Sequence, residues 1–176
     1  QSKLFVMALR VRKQFLYENR KNVKAAIIVW DQQEKYLDRK HVIEAAWNWI
    51  NMTIPVISST FASFSRMCKN LGAETLGHLF IDEAGQALPQ AAVGAIYRSR
   101  HVMVVGDPLQ IKPVLTLDSN TLYMLGEHFG VTEKYLSASA SAQILADAAS
   151  QYGFYRKQDK AEDSWVGIPL WVHRRC

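Results

Sequence analysis

Residues 79–114 read LFIDEAGQALPQAAVGAIYRSRHVMVVGDPLQIKPV, and this stretch decides the fold class. It contains two apolar runs of strand type, Leu79-Phe80-Ile81 and His101-Val102-Met103-Val104-Val105. Each ends in polar residues, Asp82-Glu83 and Gly106-Asp107-Pro108 respectively. Between them, Gln86 to Tyr97 reads as a helix with Leu88, Ala91, Ala92, Ala95 and Ile96 inward. A strand, helix, strand order predicts buried parallel strands joined by a crossover, hence an α/β fold. In such sheets ligands bind beyond the carboxyl ends of the strands, where these polar residues fall.

An apolar strand ending in Asp-Glu fixes two carboxylates at the mouth of a sheet. The first, Asp82, can hold Mg²⁺ through water, and the second, Glu83, can orient or deprotonate an attacking water. Gly106 lets backbone pass close to a phosphate, and Gln110 is a neutral side chain able to bond a terminal phosphate oxygen. The bland alternatives are that Asp-Glu begins a loop or caps a helix, and that Gly-Asp-Pro is an ordinary turn.

Asp82-Glu83-Ala84-Gly85-Gln86 and Gly106-Asp107-Pro108-Leu109-Gln110-Ile111-Lys112-Pro113 resemble motifs II and III of superfamily 1 helicases. Within these AAA/P-loop NTPases the likeness is to the branch of the nonsense-mediated-decay helicase. Two further stretches follow the family order. Val56-Ile57-Ser58-Ser59-Thr60 resembles the strand and turn that touch nucleic-acid backbone. Leu170-Trp171-Val172-His173-Arg174-Arg175-Cys176 is similar to the start of motif IV, although His173 stands where many members have Tyr.

The resemblance implies a RecA-like P-loop NTPase core with a mostly parallel sheet, over residues 53–176. An α-helical hairpin over residues 1–52 would precede it. It also implies ATP as substrate with Mg²⁺ at Asp82, Glu83 and Arg174 as catalytic groups, and Gly106, Asp107 and Gln110 at the nucleotide. Ser59 and Thr60 would contact single-stranded DNA or RNA, and a second RecA-like domain of the same chain would complete the motor. No Gly-x-x-x-x-Gly-Lys-Ser/Thr loop occurs in the chain. That loop supplies the amide cradle and lysine for phosphates. The expectation is therefore a truncated core, the C-terminal part of a first motor domain, inactive by itself. The rival expectation is a non-enzymatic nucleic-acid-binding module with a helicase-like fold. A metal nuclease built on Asp82, Glu83 and Asp107 would leave the Gly-Asp-Pro-Leu-Gln block without a purpose.

Outward from this block, residues 3–28 predict a helix with Leu4, Ala8, Val11, Phe15 and Asn19 in register. A second helix over residues 37–50 carries a stripe of Val42, Ile43, Ala46, Trp47 and Ile50. Pro55-Val56-Ile57-Ser58 reads as a buried strand and residues 63–71 as a helix. Asp118 or Ser119 caps a short helix through Gly126, and another helix spans 142–151. Residues 152–163 read as a polar exposed loop, and residues 168–172 as a strand.

The 176 residues are 49% hydrophobic and 21% charged, with 9 Gly and 5 Pro, which excludes disordered and collagen-like chains. The longest apolar runs, such as Ala25 to Trp30, fall far short of the roughly 18 residues of a membrane span. Cys68 and Cys176 form no metal-ligand spacing or disulfide framework, so a cytoplasmic setting is expected. The five histidines are scattered without His-Glu-x-x-His, and no Gly-x-Ser-x-Gly elbow occurs, so zinc hydrolase and serine hydrolase chemistry have no support. Net charge is +5, and residues 1–50 hold 10 basic against 5 acidic side chains. Such an excess attracts phosphate backbones, or simply forms a solvated helix face.

Overall fold

The computed structural model describes residues 1–107, 113–115, 117–136, 140–158 and 161–168. The chain packs as two compact units, Gln1–Thr75 and Leu76–Cys176.

The first unit is helical. Helix α1 spans Ser2–Glu18 and α2 spans Arg20–Asp31. The expected single helix over 3–28 is broken at Asn19. There the side-chain amide and the backbone N–H both donate to Phe15 O, at 2.9 and 3.0 Å. An Asn side chain that competes for backbone carbonyls ends a helix in this way. A 3-10 turn at Gln33–Tyr36 leads to α3, Lys40–Thr53. The α3 stripe forms as expected, with Ile43, Ala46, Trp47 and Ile50 buried, and Trp47 meets Trp30 of α2 edge-on at 6.1 Å. The α1 stripe does not form a core: Leu4 and Val11 are exposed. Helix α1 is instead tied to α3 at its C-terminal half. Phe15 stacks on Trp49, and Arg12 donates to Met52 O and Thr53 O at 2.7 Å each. These carbonyls are among the last of α3 and have no partner within the helix, so a cation suits them.

No strand forms at 55–58. The segment has no regular secondary structure, and Val56 is 81% exposed. Helix α4 spans Phe61–Met67, shorter than expected and starting two residues earlier because Thr60 caps it. Residues after α4 fold back on the helical pair. Cys68 and Leu71 are buried, Lys69 pairs with Glu34 at 2.6 Å, and Asn70 and Thr75 donate to Gln33 and Glu44. These contacts make the residues up to Thr75 part of the first unit.

The second unit opens with β1, Leu76–Ile81, then α5, Pro89–Tyr97, then β2, Ser99–Val104. The strands are parallel, with Leu76 opposite Ser99 and Ile81 opposite Val104, as expected for a crossover. Helix α5 starts later than expected. Ala84–Gln86 forms a 3-10 turn first, and Pro89 then takes the first helical turn, where its missing N–H costs nothing. Ala92 and Ala95 point inward, whereas Ala91 is exposed. The strands are also less buried than expected. Side chains alternate across a strand. Ile81 is buried, but Phe80 and Met103, which share the opposite face with the stacked pair His78 and His101, are exposed.

Helix α6 spans Ser119–Phe129. Asp118 accepts from the amides of Asn120 and Thr121, and Gly130 ends the helix at φ 65°. Helix α7 spans Ala142–Ala149. The expected polar loop at 152–163 is instead an antiparallel hairpin, β3 (Phe154–Gln158) with β4 (Ala161–Val166). Its polar composition misled, but the facing Tyr155 and Trp165 rings, 5.2 Å apart, supply a cross-strand pair of the kind that stabilises hairpins. The strand expected at 168–172 lies almost entirely outside the described residues. Among those described, no helix is long and apolar enough to cross a membrane.

Candidate active site

The turns after β1 and β2 are held together by backbone. Val105 donates to Ile81 O at 2.8 Å, and Ala84 donates to Val105 O at 3.0 Å, so the ladder runs past both strands. Asp82 and Glu83 lie in the first turn, both exposed, and Gly106 and Asp107 in the second, both half-buried. Parallel pairing puts all four at one edge of the sheet, as the sequence predicts.

Asp82 Oδ1 accepts the Glu83 N–H at 2.9 Å, which orients the carboxylate and leaves Oδ2 as the oxygen a cation could take. Glu83 is left-handed, with φ 51° and ψ 38°. A side chain held there costs about 1–3 kcal/mol and persists only where the surroundings over-determine it. Here the Asp82 bond fixes the Glu83 amide, and Gln86 Nε2 donates to Glu83 Oε2 at 3.4 Å. Ala84, fully buried, anchors the turn beneath.

Gly106 is needed for close approach. A Cβ on it would come within 2.9 Å of the Ala84 nitrogen, 2.8 Å of the Gly85 nitrogen and 3.0 Å of Gln143 Oε1. Any side chain would push the two turns apart. Helix α7 closes the edge from behind: Ala142 N–H donates to Ala87 O at 2.8 Å. Further along α7, Gln143 and the buried Asp147 were not singled out from sequence. Their signal was there, as two polar residues four apart on an otherwise apolar helix, Ala142-Gln143-Ile144-Leu145-Ala146-Asp147.

Four further site residues were expected from the sequence: Ser59, Thr60, Gln110 and Arg174. Ser59 and Thr60 belong to the first unit, where Thr60 Oγ1 accepts the Ser63 N–H at 3.3 Å and caps α4. Ser59 Oγ donates to Thr60 O. No strand precedes them. Gln110 and Arg174 lie outside the described residues. A cleft of the first unit, lined by Leu37, Lys40, Ile43, Lys69 and Gly72, contains none of the expected site residues. Among the described residues, no three His, Cys, Asp or Glu side chains converge on one point.

The profile of the AAA domain family matches residues 6–117. The chain belongs to the AAA domain family. It is a helicase-like domain of the P-loop NTPase type, and the match includes both carboxylate turns. It also starts inside α1 and runs through the helical unit. No curated protein and no solved structure matches the chain.

Proposed function

We propose that the turns after β1 and β2 form the metal-and-water half of an ATP site in a superfamily 1 helicase or translocase of the nonsense-mediated-decay branch. The carrying observation is that Asp82, Glu83, Gly106 and Asp107 share one edge of a parallel pair, in turns pinned by the Ala84–Val105 bond. Asp82 holds the Mg²⁺ shell. Glu83, exposed and fixed in an unusual backbone conformation, takes the proton of the attacking water. Bound Mg²⁺ supplies charge neutralisation at the phosphates.

In this reading the chain is the C-terminal part of a first RecA-like motor domain. The phosphate cradle comes from residues outside it, since it holds no Gly-x-x-x-x-Gly-Lys-Ser/Thr. Gln110 senses the γ-phosphate, Arg174 stabilises transition-state charge, and a second RecA-like domain closes the site. Ser59 and Thr60 contact the backbone of single-stranded DNA or RNA, Thr60 in addition to its capping bond.

The test is ATP hydrolysis by the full-length protein with and without single-stranded DNA or RNA. The expected result is hydrolysis stimulated by nucleic acid of any sequence, with stimulation falling as salt rises. Hydrolysis indifferent to nucleic acid would contradict the translocase reading.

A further inference from the structure

Gln143 and Asp147 are four residues apart on α7 and so share one face of it. Gln143 Nε2 donates to Asp147 Oδ1 at 3.3 Å, and the same oxygen accepts the Gly167 N–H at 2.9 Å. Gly167 immediately follows β4 and is buried against Asp147. At the other end, Gln143 Oε1 is buried, has no hydrogen-bond partner among the described residues, and stands against Gly106. Gly106 in turn packs on the Ala84 and Gly85 amides that follow Asp82-Glu83.

The orientation of Gln143 follows from chemistry. A carboxylate only accepts, so Gln143 must present its NH₂ to Asp147 and its carbonyl to the Gly106 turn. Turning the amide over would set two acceptors face to face. Asp147 thus decides that an acceptor points at the turn bearing Asp107. A buried acceptor without a donor is uncommon in native proteins and calls for a reason. A small shift of the turn, or a donor arriving on it, would satisfy the carbonyl, so the same parts have a second arrangement within reach.

We propose that Gln143 and Asp147 are positioning residues that link the two carboxylate turns to the β3–β4 hairpin, so that displacement at either end is felt at the other. Its use in nucleotide turnover rests on the ATP-site reading above. The mechanical link does not.

The experiment is amide hydrogen exchange in the full-length protein. Gly167→Ala would bring a Cβ within 3.0 Å of Asp147 Oδ1 and so pushes the link from the hairpin end. Without nucleotide, it speeds exchange of the Ala84 and Val105 amides about fivefold, an ordinary coupling for groups in one network. Adding Gln143→Leu abolishes that extra effect. If Gly167→Ala fails to fold, Asp147→Asn serves instead, since it keeps the shape and loses the carboxylate that orients Gln143. Changes confined to β3, β4 and Gly167, with Ala84 and Val105 at wild-type rates, would overturn the link. In a second arm, saturating Mg–ATP slows exchange in β3 and β4 of the wild type but not of Gln143→Leu. Equal slowing in both would also overturn it. A wild type that binds no Mg–ATP while showing the nucleotide-free coupling would sink the ATP-site reading and leave the link standing.

Discussion

The helical unit packs most tightly around large side chains, and the unit that begins at Leu76 packs most tightly around small ones. In the first, Trp47 and Ile43 are 1% and 0% exposed. Among the described residues of the second, those 0–1% exposed are Ala84, Ala92, Ala140 and Ala142, while Phe80 and Met103 stay exposed on the strands. Large side chains bury much apolar area and stabilise a helix pair. Small ones let backbone approach backbone, which is what sets the Asp82-Glu83 turn against Gly106-Asp107 and both against α7. The difference separates a core of large side chains from a junction where backbone meets backbone.

That contrast is sharpest under substitution. Trp47→Ala empties the largest buried site of the first unit and should cost about 3–5 kcal/mol in chemical denaturation. A loss below about 1 kcal/mol would mean the helix pair repacks freely and its large core is not the stabilising element.

Two glycines of the second unit should respond with opposite sign. Gly106→Ala places a methyl within 2.9 Å of two backbone nitrogens and should destabilise by about 1–3 kcal/mol, the usual range for overpacking. Gly94 sits in the interior of α5 with only the Arg98 guanidinium near, at 3.4 Å. Gly94→Ala should stabilise by up to about 1 kcal/mol through helix propensity. Equal and small effects in thermal melts would show that the turn at Gly106 has room, against the close approach described here.

The smallest effect is expected at α6. Hydrogen bonds from the Thr121 hydroxyl and the Thr121 amide hold the exposed Asp118 carboxyl below the usual aspartate range. A depressed carboxyl contributes stability that is fully present above its unfolded pKa. The contribution is lost as pH falls through the lower folded value. Acid titration followed by amide shifts of Asn120 and Thr121 should therefore show the cap surviving below the ordinary aspartate range before it releases. Release within that range would contradict the capping geometry.

The sequence was most readable where period and chemistry agreed. The α3 stripe at Ile43, Ala46, Trp47 and Ile50, the parallel β1–β2 pair and the Asp118 cap all followed from spacing and residue type. It was least readable where one local bond decided. Asn19 broke a helix through a side-chain bond that periodicity does not register. Val56 and Ile57 looked like a buried strand, but a short apolar run has no way to announce whether a neighbour will pair with it. The hairpin at 154–166 hid behind its charged residues. At the candidate site, the positions of Asp82, Glu83 and Gly106 were legible because each closely follows an apolar strand. Gln143 and Asp147 were not, because their meaning comes from Gly106 and Gly167, distant in sequence.

The most direct test of the central claim, that the β1 and β2 turns hold the water-activating half of an ATP site, is single-turnover ATP hydrolysis by full-length Glu83→Gln beside the wild type. The amide keeps the shape and removes the base. The account predicts that ATP binding is nearly intact and hydrolysis falls by about 10²–10⁴-fold, the ordinary worth of a positioned general base. Hydrolysis within a few-fold of wild type would contradict it.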